Sequence, residues 1–196
     1  MNKLDALSVF CGSSYGNDED FIKVGFQLGQ YMASNHITLV YGGSRVGIMG
    51  AVADGAIAEK GRIIGVLPGF IKNKEIAHDS ITELIEVDSM HERKMTMHQK
   101  SGGAIILPGG FGTLDKMFEL LTWGQLGLHK KPIGILNING YFDCLINFMD
   151  HMVNKNMLRV SNREMVLVSD SIEDLIHQMM NYEAPEKPKW MEQSQV

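Results

Sequence analysis

The hydrophobic and polar positions of this chain change period as they run. Short aliphatic and β-branched runs alternate with longer stretches of helical spacing, the pattern of βα units built around a parallel sheet. The apolar runs predict strands over 6–11, 37–42, 62–68, 81–87, 103–108, 132–137 and 165–169. Helices are predicted over roughly 18–34, 47–60, 89–101, 113–126, 141–155 and 171–181. In the fourth of these, Leu114, Met117, Phe118 and Leu121 form an i, i+3, i+4, i+7 stripe, while Asp115, Glu119 and Thr122 take another face. One side is therefore expected against the sheet and the other free for chemistry. The fold class is α/β with a mainly parallel sheet, in a single domain over residues 1–182. The stretch 183–196, "EAPEKPKWMEQSQV", has prolines, charges and no period, and is expected to be a loosely ordered polar tail.

Composition narrows the function. With 196 residues, 44% of them hydrophobic, the chain can bury one good core. A net charge of −5 argues against a surface made for nucleic acid, which needs a basic face. Cys11 and Cys144 fall in different predicted elements, so no disulfide framework or metal pair is suggested, and a cytoplasmic location fits. The start, "MNKLDALSVFCGSS", is too short in its apolar run for a signal or a membrane span. The 14 methionines are scattered, which favours adaptable packing over a soft-metal site.

Candidate chemistry gathers in glycine-rich turns. In an open α/β sheet ligands collect beyond the carboxyl ends of the strands, and three turns fall there: "CGSS" after the first strand, "YGGSRVGIMG" after the second and "PGGFGT" after "AIIL". A strand that ends in glycines and opens into a helix can point backbone N–H groups at an anion, with the helix dipole adding favourable potential. In "PGGFGT", Gly109, Gly110 and Gly112 allow close backbone approach, and the Thr113 hydroxyl can cap the helix or meet a phosphate oxygen. A plain tight βα turn uses the same residue types, and for "CGSS" the two readings stand level. Neither G-x-G-x-x-G after the first strand nor G-x-x-x-x-G-K-[ST] occurs, so a dinucleotide cofactor and a P-loop ATPase are both unsupported.

A second cluster is "DSMHERKMTMHQK", 88–100. Ser89 and Glu92 have the S-x-x-E spacing of a capping box, which places His91, Arg93 and Lys94 near a helix start. Cations there oppose the helix dipole by about 0.3–1 kcal/mol each when exposed, so something negative is expected to compensate them. Arginine offers a fork matched to phosphate or carboxylate. The alternative is a solvated charged face, and His91 reads as a structural or solvent-facing histidine.

Together, "SMHERK", "LPGGFGTLDKMFELLTWGQLGLHKKPIGILN", "VFCGSS" and "YGGSRVGIMG" resemble the LOG ("Lonely guy") family of cytokinin riboside 5′-monophosphate phosphoribohydrolases, over nearly the whole chain to about residue 180. The resemblance implies a three-layer Rossmann-like fold, a homodimer with active sites near its interface, and hydrolysis of the N-glycosidic bond of adenine-type nucleoside 5′-monophosphates to free base and ribose 5-phosphate. It calls for no metal and no cofactor; the partner is a purine nucleoside 5′-monophosphate, with no nucleic acid and no membrane. The family has often carried the label "lysine decarboxylase", but a pyridoxal phosphate enzyme needs a Schiff-base lysine and a partner for the ring nitrogen, and no basis for either is seen. By resemblance Arg93 matches the catalytic arginine and Lys94 the neighbouring basic contact. Gly109, Gly110, Phe111, Gly112, Thr113 and Leu114 match the phosphate-binding turn and its helix start, and Glu75 and Thr122 fall at positions that line the substrate pocket.

The chain departs from the family at one place. The last letter of P-G-G-x-G-T-x-x-E, the family's catalytic glutamate, falls on Lys116, expected in the first turn of the helix. Glycosidic cleavage builds positive charge on the ribose, so a carboxylate there stabilises the transition state and a lysine reverses the sign. The same change removes the T-x-x-E capping box from Thr113. Three readings follow: Asp115 or Glu119 takes over, Lys116 adds a cation to a site that binds nucleotide with little hydrolysis, or the lysine is a substitution particular to this chain.

Overall fold

A computed structural model of the chain describes residues 4–71 and 77–185. Seven strands form one sheet in the order β4-β3-β2-β1-β5-β6-β7. They are β1 (Ala6–Phe10), β2 (Thr38–Tyr41), β3 (Ile63–Pro68), β4 (Glu83–Val87), β5 (Ala104–Ile106), β6 (Ile133–Leu136) and β7 (Val166–Ser169), and every neighbouring pair is parallel. The helices are α1 (Glu19–Ser34), α2 (Gly47–Ala58), α3 (Met90–Lys100), α4 (Phe111–Gln125), α5 (Asp143–Asn154), α6 (Val160–Arg163) and α7 (Ile172–Met180).

Residue alternation along the strands builds two cores. Leu7, Val9, Leu39, Tyr41, Ile105 and Leu107 pack with α1, α2 and α7, whereas Val40, Ile64, Val66, Ala104 and Ile106 pack with α3, α4 and α5. These are three layers, a parallel sheet between two helical ones, as the sequence predicts. The short α6 has no predicted counterpart; its four residues carry no periodic stripe and bury none of their number. Within the predicted tail, 183–185 have no regular structure and 186–196 lie outside the described residues.

The strand order reverses between β1 and β5, and that reversal decides where a ligand fits. Connections leave in opposite directions there, opening a crevice beyond the carboxyl ends of the two strands. The strand ends are stitched together: the Leu107 amide donates to Phe10 O at 2.9 Å, and the Gly12 amide donates to Pro108 O at 2.9 Å. Among the described residues, no helix is long and apolar enough to cross a membrane.

Candidate active site

A cavity of about 480 Å³ fills that crevice. Its floor is the β1 and β5 ends; its walls come from α2, α3 and the head of α4, with Tyr141 at the side.

The head of α4 is where amide donors accumulate. Gly110 is the N-cap residue, and no side chain caps the helix. Thr113 and Leu114 amides both donate to Gly110 O, at 3.0 and 3.1 Å, while the amides of Gly110, Phe111 and Gly112 have no acceptor among the described residues. This corrects two expectations. The helix begins at Phe111, not at 113, because glycine caps it through the backbone alone and leaves no side-chain signal. Thr113 is then the third helical residue, only 4% exposed, so it caps nothing, and Lys116 stands in the second turn instead of the first. The apolar stripe is also rotated: Thr113, Met117 and Leu120 are buried, whereas Leu114 and Leu121 are partly buried and Phe118 is exposed.

The glycine before the cap cannot be larger. A Cβ on Gly109 would lie 2.2 Å from Thr113 Oγ1 and 2.8 Å from the Gly12 nitrogen. Around Gly110 there is open space, with nothing within 4 Å of such a Cβ.

The second glycine turn has a different use. The first amides of α2 do not face an anion: Met49 N donates to Gly12 O at 3.3 Å and Ile48 N to Ser14 O at 3.4 Å. Gly47, at φ +64°, makes that approach feasible, since its Cβ would sit 2.4 Å from Ser13 O. "YGGSRVGIMG" thus secures the loop after β1, and the donors left over belong to α4.

Helix α3 opens as the sequence predicts: Ser89 caps it by accepting from Glu92 N at 3.1 Å, and Glu92 Oε2 accepts in return from the Asp88 amide at 2.8 Å. This start aims Arg93 inward. The arginine is 4% exposed and lines the cavity, and its guanidinium donates from Nε to Val66 O at 2.9 Å and from a terminal nitrogen to Gly42 O at 2.5 Å. Gly42 leaves room for it, a Cβ there falling 2.6 Å from the same terminal nitrogen. Arg93 is thereby held at the ends of β2 and β3, with its charge beside the crevice.

Lys94 leaves in another direction. Its Nζ pairs with Glu119 at 3.0 Å and Asp115 at 3.2 Å, tying α3 to α4. Partial burial works against the charge, but the hydrogen bonds to Glu119 and Asp115 outweigh it, and Lys94 titrates above the ordinary lysine range. Lys116 Nζ donates to Gly112 O at 2.8 Å and reaches the cavity.

Of the residues singled out from sequence, the cavity therefore collects Arg93, Gly109, Gly110, Gly112, Thr113 and Lys116. Lys94, Asp115 and Glu119 are paired together outside its lining. Phe111 is 95% exposed beside it, Leu114 packs into the core below α4, and the exposed Thr122 turns its hydroxyl back to Phe118 O at 2.7 Å. Glu75 lies outside the described residues. No aspartate or glutamate among the described residues lines the cavity.

Sequence reasoning missed Cys11, three methionines and Tyr141. Loss of solvation pushes the Cys11 thiol up to about 12 against the charge of Lys116, so it stands in the cavity wall as a neutral thiol. Met49, Met90 and Met97 give the cavity an apolar side, and only the place of Met49 in the glycine-rich turn and helix start after β2 hinted at this. Tyr141 follows β6, one strand beyond the switch point, which was the signal available.

The family described as "Possible lysine decarboxylase" matches residues 49–179. The chain is 38% identical over 182 residues to a probable cytokinin riboside 5′-monophosphate phosphoribohydrolase of Oryza sativa subsp. japonica, covering 93% of this chain and 80% of the relative. It is 36% identical over 181 residues to a cytokinin riboside 5′-monophosphate phosphoribohydrolase of Arabidopsis thaliana, covering 92% and 85%. Among solved structures, the fold is shared with the molybdenum cofactor binding protein of Rippkaea orientalis, at TM-score 0.69 and 23% identity over 91% of this chain and 97% of that one. The Moco carrier protein of Chlamydomonas reinhardtii is similar too, at TM-score 0.69 and 19% identity over 91% and 99%. With relatives of this identity over nearly its whole length, the chain belongs to the LOG family, whose members include the cytokinin riboside 5′-monophosphate phosphoribohydrolases.

Proposed function

We propose that this protein binds purine nucleoside 5′-monophosphates and hydrolyses their N-glycosidic bond, slowly, to free base and ribose 5-phosphate. The observation that carries the reading is the set of amides of Gly110, Phe111 and Gly112, without an acceptor among the described residues, at the head of a 15-residue helix beside a cavity that also holds Arg93 and Lys116. The phosphate rests on these amides, Lys116 and Arg93 supply positive potential, and the ribose and base extend toward Met49, Met90 and Met97. Water adds its oxygen to C1′ as the carbon–nitrogen bond breaks, and its proton passes to the departing base. AMP and cytokinin riboside monophosphates are both candidate substrates. The exposed apolar side chains beside the site, Phe111, Met90 and Phe118, support a homodimer with the two sites near its interface.

A second reading, binding with little turnover, has its own support. The group that faces the developing charge at the family's glutamate position is an ammonium, and Asp115 and Glu119 are held by Lys94. One experiment separates the two. Base release from AMP and N6-prenylated AMP is followed by chromatography for the wild type and for Lys116→Glu. The hydrolase reading predicts slow release by the wild type and about 100-fold faster release by the variant, the lower end of what a placed carboxylate contributes. No base from either protein refutes hydrolysis; rapid wild-type turnover without a gain in the variant refutes the role given to Lys116.

A further inference from the structure

We infer that Tyr141 is a positioning residue for the phosphate-binding turn: its hydroxyl holds the Gly109–Gly110 peptide so that the Gly110 N–H points into the site. The inference rests on the reading that α4 receives a 5′-phosphate.

The Tyr141 hydroxyl donates to Gly109 O at 2.9 Å. That carbonyl and the Gly110 N–H belong to one planar trans unit, in which the two groups point in opposite directions. Fixing the oxygen on the Tyr141 side turns the N–H to the other. A hydrogen bond to the carbonyl also polarises the unit and makes its N–H a stronger donor. The preceding carbonyl, Pro108 O, is engaged by the Gly12 amide at 2.9 Å, so two successive peptides of the turn are held from outside α4.

Tyr141 is itself held although its surface is half open. Its ring meets Phe21 edge-on at 5.4 Å and Phe142 at 4.8 Å. The short 3-10 turn before it, Ile138–Gly140, passes through left-handed backbone at Asn139 (φ 49°) and Gly140 (φ 71°). Asn139 Nδ2 donates to Asp18 Oδ2 at 3.0 Å and Asp20 Oδ2 at 2.9 Å, and Asn137 Oδ1 accepts from the Phe142 amide at 2.8 Å. A side chain that packing alone required would not need its hydroxyl aimed at the one carbonyl whose peptide begins the anion-binding turn.

The test compares the wild type with Tyr141→Phe, which keeps the ring and removes the bond. Calorimetric titrations with AMP, adenosine and inorganic phosphate are read beside the Gly110 amide resonance of the ligand-free proteins. The expected result is AMP and phosphate binding weakened by about three- to tenfold, adenosine binding unchanged, KM for AMP raised with kcat within about twofold, and the Gly110 resonance displaced. The proposal is overturned if AMP binds the variant as well as the wild type, if adenosine weakens equally, or if the Gly110 amide does not move. A displaced Gly110 amide in a protein whose wild type binds neither AMP nor phosphate upholds the positioning by Tyr141 and refutes the nucleotide reading.

Discussion

Gly109 and Gly110 are adjacent, yet alanine at each should fail in a different way. At Gly109 the new methyl would stand 2.2 Å from Thr113 Oγ1, 2.8 Å from the Gly12 nitrogen and 2.9 Å from Thr113 Cβ. Thr113 is buried and Gly12 is bonded to Pro108, so relief requires the ends of β1 and β5 to part. Overpacking of this kind costs about 1–3 kcal/mol, which for a domain of this size lowers the melting temperature by about 2–12 °C. At Gly110 the backbone has negative φ (−93°), which alanine accepts, and no atom lies within 4 Å of the new methyl. Its stability should change by no more than about 1 kcal/mol. On the proposed reading the phosphate occupies this open space, so AMP affinity should fall about tenfold or more, equivalent to at least about 1.4 kcal/mol. Urea denaturation and AMP calorimetry on both variants decide the matter. A Gly110→Ala protein that binds AMP like the wild type would refute the placement of the phosphate, and a Gly109→Ala protein of wild-type stability would refute the packing of the two loops.

Two other perturbations bear on the scaffold. Gly47→Ala puts a side chain at φ +64° and 2.4 Å from Ser13 O, and should destabilise the protein by about 2–5 kcal/mol in urea titrations; a loss under 1 kcal/mol would mean the α2 head and the β1 loop are not locked together. Burial, with the charges of Lys131 and His129 adding to it, lowers the His98 pKa to about 4. The unfolded chain protonates near 6.5 and the folded one does not, so the stability present above pH 6.5 is lost progressively as the pH falls toward 4. His98→Gln should shrink the difference in urea midpoint between pH 7 and pH 5; an unchanged difference would contradict this.

Features set by near neighbours in the chain were the legible ones. Ser89 and Glu92 are three residues apart, so their capping box could be read directly and is present. Most of the strands could be placed because they are compact apolar runs; β4 is the exception, with glutamates at 83 and 86. The start of α4 could not, since Gly110 caps with no side chain, and two residues of error moved Thr113 from cap to core. Contacts across elements had no sequence signal at all: Arg93 reaches Gly42 and Val66, 51 and 27 residues away, and Tyr141 reaches Gly109, 32 away. The pairing of Lys94 with Asp115 and Glu119 was hidden for the same reason, since residues that lay in separate motifs neutralise one another once α3 and α4 are side by side. Likewise, three glycine turns looked equivalent until the carbonyls of the first were found on the amides of the second.

The central claim is that the head of α4 holds a nucleotide's 5′-phosphate, and a crystal structure with bound AMP addresses it most directly. The account predicts phosphate oxygens within hydrogen-bond distance of the Gly110, Phe111 and Gly112 amides, with the base toward Met49 and Met97. AMP bound elsewhere, or with its base at the head of α4 and its phosphate in solvent, would contradict it.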